Sequence, residues 1–144
     1  MDIKEIAERT AKHCGTRNPF DAADSLGIIV SFESLNSIRG YYSKARRQKF
    51  IHINSDLPEH LQKFVCAHEL GHSILHPDAN TPFLRKNTLL SVNRLEIEAN
   101  RFAACLLLTD PDLREYIKFG YTTEQISMCS GLPEPLIQYR IKTL

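Results

Sequence analysis

Residues 68–72 read His-Glu-Leu-Gly-His, inside a run from Leu61 to Leu75 whose apolar positions recur at helical spacing. No other stretch constrains the chain as much. Residues four apart on an α-helix lie one above the other on a single face, so His68 and His72 can direct two imidazole nitrogens at one metal ion. Glu69 stands about 100° round the helix from His68, near enough to reach a water on that ion without ligating it. Leu61, Phe64, Val65, His68, His72 and Leu75 follow the i, i+3, i+4, i+7 rhythm of a buried face, which sets the two histidines at the edge of a core. An isolated histidine there would read as a satisfied core residue, whereas a pair at this spacing beside a glutamate reads as a metal site.

The 144-residue chain, 42% hydrophobic, is long enough to bury one such core. Its net charge is +1, and Arg46-Arg47 is the only adjacent basic pair flanked by other cations, so no electrostatic footprint for nucleic acid is expected. The N-terminus, Met1-Asp2-Ile3-Lys4-Glu5, lacks the apolar core of a signal peptide, and no apolar run approaches transmembrane length. A cytoplasmic protein with no membrane partner is the expectation. Cys14, Cys66, Cys105 and Cys129 form no Cys-x-x-Cys pair and read as buried free thiols; Cys66 falls on the far side of the helix from His68 and is a poor ligand.

Taken in order, residues 2–14 read as a helix stopped by Gly15, and Asn18-Pro19 as the capped start of a short helix closed by Gly27. Residues 28–33, 39–44 and 48–54 are β-rich, predicting a small, mainly antiparallel three-stranded sheet. The central helix follows and ends near His76-Pro77. Residues 77–93 lack periodicity and read equally as a flap beside the site or a surface loop. A second strong helix runs from Leu95 to about Leu108. Thr122 and Gln125 form a capping box for a short helix ended by Gly131, and Pro133 opens a last helix, so the tail is helix-turn-helix-like. The fold class is α+β, with residues 1–110 as one domain and 111–144 as a small helical extension packed on its core.

Catalytic zinc takes three protein ligands and leaves a position for water, so a third ligand is required. His76 stands about 12 Å along the axis from His68, too far for three ligands on one straight helix to converge. Glu96 and Glu98, on the second helix, are the candidates. The helical wheel does not separate them. Asn100, four residues after Glu96 on the same face, favours Glu96 because its amide can orient a ligand. Glu98 is the fallback.

Together with Leu95-Glu96-Ile97-Glu98-Ala99-Asn100-Arg101-Phe102-Ala103-Ala104 and Leu106-Leu107-Leu108, the His68–His72 run resembles the ImmA/IrrE family of metallopeptidases. The likeness covers residues 18–109. It implies a minimal zincin-like domain, Zn²⁺ bound by His68, His72 and Glu96, and Glu69 as the catalytic glutamate. It departs where Leu107-Leu108-Thr109-Asp110 replaces a Leu-Leu-Met-Pro-like run. It also implies a protein substrate, a helix-turn-helix repressor whose cleavage releases transcription on a prophage or other mobile element or in a stress response.

The expected chemistry is peptide hydrolysis with Glu69 as general base, and His76, Tyr41 and Tyr42 as candidate donors to the oxyanion. Gly71 in mid-helix suggests close approach by a strand or substrate, so Gly71→Leu is expected to fold but lose activity. The rivals are a non-catalytic zinc protein that sequesters a repressor and a DNA-binding regulator built on the C-terminal helices.

Overall fold

The computed structural model describes the backbone of residues 1–79 and 89–144, and the side chains of 1–79 and 94–144. Among them are seven helices and three strands: α1 (Ile3–Cys14), α2 (Pro19–Ser25), β1 (Ile29–Glu33), β2 (Gly40–Ala45), β3 (Gln48–Asn54), α3 (Glu59–Leu75), α4 (Leu89–Leu107), α5 (Asp110–Lys118), α6 (Thr123–Ser130) and α7 (Glu134–Lys142). Local chemistry accounts for most of the ends. Asp2 and Asn18 cap α1 and α2 through their side chains, Gly15 and Gly131 end α1 and α6 in the left-handed region, and both halves of the Thr122–Gln125 capping box are made.

The sheet is mixed, with order β1-β3-β2. β3 runs antiparallel to β2 but parallel to β1, so the expected mainly antiparallel sheet is corrected. Each short connection does reverse the chain, and consecutive strands do run in opposite directions. β3, however, inserts between the other two strands and so lies beside β1 with the same direction. A two-residue turn closes the β2–β3 hairpin, with Arg46 and Arg47 both at positive φ (51° and 72°) as the twist of such a turn demands.

Period-two alternation sends Ile51 and Ile53 of β3 and Tyr42 of β2 inward, where all three are fully buried. The outer face carries a polar network in which the His52 ring lies 3.1 Å from Ser43 Oγ and 2.9 Å from Glu33 Oε1 and stacks on Tyr41, tying the three strands together. α3 packs against β2 and β3 of the sheet and against α4, which also packs on α1. Ala67 and Leu70 meet Phe102, Ala103 and Leu106 in a core that Leu113, Ile126, Leu132 and Ile137 extend toward the C-terminus.

Two elements differ from expectation. α4 starts at Leu89, six residues before Leu95. The proposed flap falls mostly on residues 80–88, outside the described residues. α5 was not foreseen, although its signal is present: Thr109 accepts from the Asp112 amide as N-cap and Pro111 stands in the first turn. Thr109-Asp110 therefore starts a new helix directly after α4 ends at Leu107. Asp110 also binds Lys4 of α1 (2.7 Å) and the buried Arg140 of α7 (2.6 Å), and Arg140 donates twice to the Leu108 carbonyl just past the end of α4.

Of the cysteines, Cys66 and Cys105 are buried, Cys14 half-buried and Cys129 exposed, and all are free thiols. Burial pushes the Cys66 thiol up, which keeps it protonated.

Candidate metal centre

The i, i+4 spacing does what local geometry requires: the His68 and His72 rings meet edge to face with centroids 4.8 Å apart. What the spacing left open is decided by the packing of α4 on α3. Glu96 Oε2 lies 2.9 Å from His68 Nε2, and Glu96 Oε1 lies 2.9 Å from His72 Nε2. One carboxylate thus spans both imidazoles. Glu98, the fallback, is turned elsewhere, with Oε1 at 2.8 Å from His76 Nε2.

The opposite ring nitrogens are also engaged. His68 Nδ1 donates to Asn100 Oδ1 at 2.7 Å, and His72 Nδ1 lies 3.0 Å from His76 Nδ1. These contacts orient both Nε2 atoms toward Glu96. His72 is fully buried, and burial pushes its imidazole down to about 4 against the raising effect of Glu96. It is therefore neutral near pH 7, the form that can ligate a cation.

Glu69 is 1% exposed, and one of its carboxylate oxygens falls within 4.8 Å of a ring nitrogen of each motif histidine. By proximity, Glu69 forms a candidate cluster with the two histidines. The short, paired contacts belong to Glu96, both of whose oxygens face Nε2 atoms. Two imidazoles and a carboxylate, converging from two helices, are the donor set of a catalytic zinc site, and donors 2.9 Å apart need only small outward shifts to surround an ion with bonds near 2.0–2.2 Å. These residues fit the metal that the motif implies.

The centre opens into a cleft of about 600 Å³. His68, Glu69, Glu96 and Asn100 line its floor; Ile38, Arg39 and Gly40 form one wall, at the start of edge strand β2. Pro133, Pro135 and Leu136, at the start of α7, also line it. This contribution from the tail had no signature in the sequence, since it depends on how α7 folds back onto α4.

The candidate oxyanion donors are occupied. Tyr42 is fully buried and donates to the Pro77 carbonyl at 2.5 Å, with burial pushing its phenol up to about 12. Tyr41 lies on the outer face against His52, and His76 holds His72 and Glu98. Gly71 is explained by a helix contact instead of a strand or substrate: a Cβ there would stand 3.1 Å from Cδ1 of Phe102. A leucine at position 71 would therefore press on Phe102, which favours lost stability over the normal folding expected from the sequence.

An α+β domain with a His-Glu-x-x-His helix, and a second helix that lays a glutamate across both histidines, defines a metallopeptidase-type centre. Residues 23–142 match the IrrE N-terminal-like domain family. The chain is 34% identical over 146 aligned residues to metallopeptidase ImmA of Bacillus subtilis strain 168, covering 99% of this chain and 85% of that protein. It is 41% identical over 135 residues to uncharacterized immunity region protein 2 of Bacillus phage phi105, covering 93% and 85%. This protein belongs to the ImmA/IrrE family of metallopeptidases. A Mycobacterium tuberculosis transcriptional regulator shares the fold, with a TM-score of 0.65 at 19% identity; the match takes in 96% of this chain and 46% of that one.

Among the described residues no helix is long and apolar enough to cross a membrane.

Proposed function

We propose that this chain is a zinc-dependent, site-specific endopeptidase whose substrate is a helix-turn-helix transcriptional repressor. The observation that carries the reading is the Glu96 carboxylate lying 2.9 Å from both His68 Nε2 and His72 Nε2, with Glu69 buried beside them. His68, His72 and Glu96 hold the metal and Glu69 is the base. Bound there, zinc supplies Lewis acidity, which makes water acidic near neutral pH and polarises a carbonyl.

The protein's own groups do the rest. The Glu69 carboxylate takes a proton from the attacking water and delivers it to the leaving amine nitrogen, as a general base that becomes a general acid. Asn100 holds the His68 ring through Nδ1. The substrate lies in the cleft beside the start of β2, where its backbone can hydrogen-bond and the lining side chains select its own.

Residues 1–110 act as the zincin-like unit, and 111–144 as an extension whose helix-turn-helix-like pair serves for packing; its buried Ile126, Leu132 and Ile137 support that role over DNA contact. The likeness to a phage immunity-region protein supports a mobile-element setting, and a cytoplasmic repressor requires a cytoplasmic enzyme.

The test is cleavage of the repressor encoded beside this gene by zinc-loaded wild type and by Glu69→Gln. Cleavage by wild type alone is the expected result. Zinc bound, a stable complex with the repressor and no cleavage by either would replace the peptidase with a non-catalytic sequestering protein.

A further inference from the structure

His76 lies outside the metal set, yet it is not a bystander. It is the C-cap of α3 with φ −134° and ψ 57°, so the backbone has left the helix and the ring folds back on His72. The resulting chain of contacts runs from His72 Nδ1 to His76 Nδ1 (3.0 Å) and from His76 Nε2 to Glu98 Oε1 (2.8 Å). The His76 and Glu98 side chains are 7% and 15% exposed, so water competes little for either contact.

The proton positions along this chain follow from one requirement. If His72 presents the lone pair of Nε2 to a metal, its neutral ring carries hydrogen on Nδ1, which can then only donate. His76 Nδ1 must therefore accept, which places the hydrogen of the neutral His76 ring on Nε2. That hydrogen points at a carboxylate, which can only accept when ionised. Each contact has one donor and one acceptor, and reversing any of them would turn His72 Nε2 into a donor.

We propose that His76 and Glu98 are positioning residues that act through His72, locking its ring and the tautomer that offers Nε2 to the metal. The inference rests on the metal-centre reading above and adds to it an anchor on the α3–α4 junction. It also assigns the second acidic residue of the Glu96-Ile97-Glu98 pair: one carboxylate faces the ion and its neighbour, two positions on, supports the ligand.

The experiment is zinc affinity by competition with a chromophoric chelator for wild type, His76→Leu, Glu98→Ala and Glu98→Gln. Apo-protein unfolding and the visible spectrum of the cobalt(II)-loaded forms are recorded alongside. His76→Leu and Glu98→Ala are expected to bind zinc about 10–100-fold more weakly, the usual cost of losing a partner behind a ligand. Their cobalt bands should shift. Glu98→Gln, whose carboxamide oxygen still accepts from His76, should recover most of the affinity.

Should His76→Leu fail to fold, the two Glu98 variants decide the matter. Variants that bind zinc as tightly as wild type, with an unchanged cobalt spectrum, overturn the inference even if their apo-forms unfold more easily. A wild-type chain that takes up no zinc would instead overturn the metal centre itself.

Discussion

Asn100 and His68 meet across the α3–α4 interface, with the carboxamide oxygen 2.7 Å from His68 Nδ1. Asn100 sits one turn after Glu96, so a single face of α4 meets Nε2 of His68 with one residue and Nδ1 with the other. Asn100→Ala should therefore weaken zinc binding by about 10–100-fold while Asn100→Asp, which keeps an acceptor, loses less. Chelator competition measures both; equal affinity for Asn100→Ala and wild type would show that the contact orients nothing.

Metal binding should appear in stability as well. A ligand that binds only the native state adds about 2.7 kcal/mol when its free concentration is 100 times its Kd. Zinc-loaded wild type should thus unfold at a higher temperature than the EDTA-treated protein, and the gap should close in Glu96→Ala. Thermal melts with and without EDTA check this. A gap that survives the loss of Glu96 would mean the stabilising ion sits elsewhere.

Gly71 and Phe102 make the close approach between α3 and α4. Glycine in mid-helix costs up to about 1 kcal/mol in propensity, yet a Cβ there would stand 3.1–3.2 Å from three Phe102 atoms. Gly71→Leu should lose about 3 kcal/mol, at the upper end for an overpacked core, and with it the geometry of the metal centre. Urea unfolding would report the loss. A fully stable but inactive Gly71→Leu would restore the earlier expectation that substrate passes there.

At Asp110, burial raises the carboxyl, but hydrogen bonds from Lys4 and Arg140 outweigh it and leave the pKa below its ordinary 3.8. A folded-state pKa held below the unfolded one contributes stability above the unfolded value and loses it as pH falls through the folded value. Wild type should therefore be more stable than Asp110→Asn at neutral pH, and the difference should shrink only in strong acid, below about pH 4. Denaturant titrations at several pH values test the sign: an advantage that grew on acidification would contradict it.

Some of this architecture is written in short stretches of chain. The His68–His72 pair, the neighbouring Glu69 and the caps at Asn18, Gly15, Gly131 and Thr122 depend on contacts within about one helical turn, which residue spacing alone specifies. The Thr109–Asp112 cap is legible in the same way, with Pro111 in the first turn beside it.

Other features needed the folded chain. Glu96 and Glu98 stand two positions apart and the helical wheel does not choose between them, and only the rotation of α4 against α3, set at contacts such as Gly71–Phe102, turns one to both histidines and the other to His76. The direction of β1 relative to β3 depends on which strand takes the middle of the sheet. Arg140 reads as a surface cation and is 1% exposed, because the Leu108 carbonyl and Asp110 that satisfy it come from distant elements. Local spacing determined which side chains could act on a metal, and helix packing decided which of them meet.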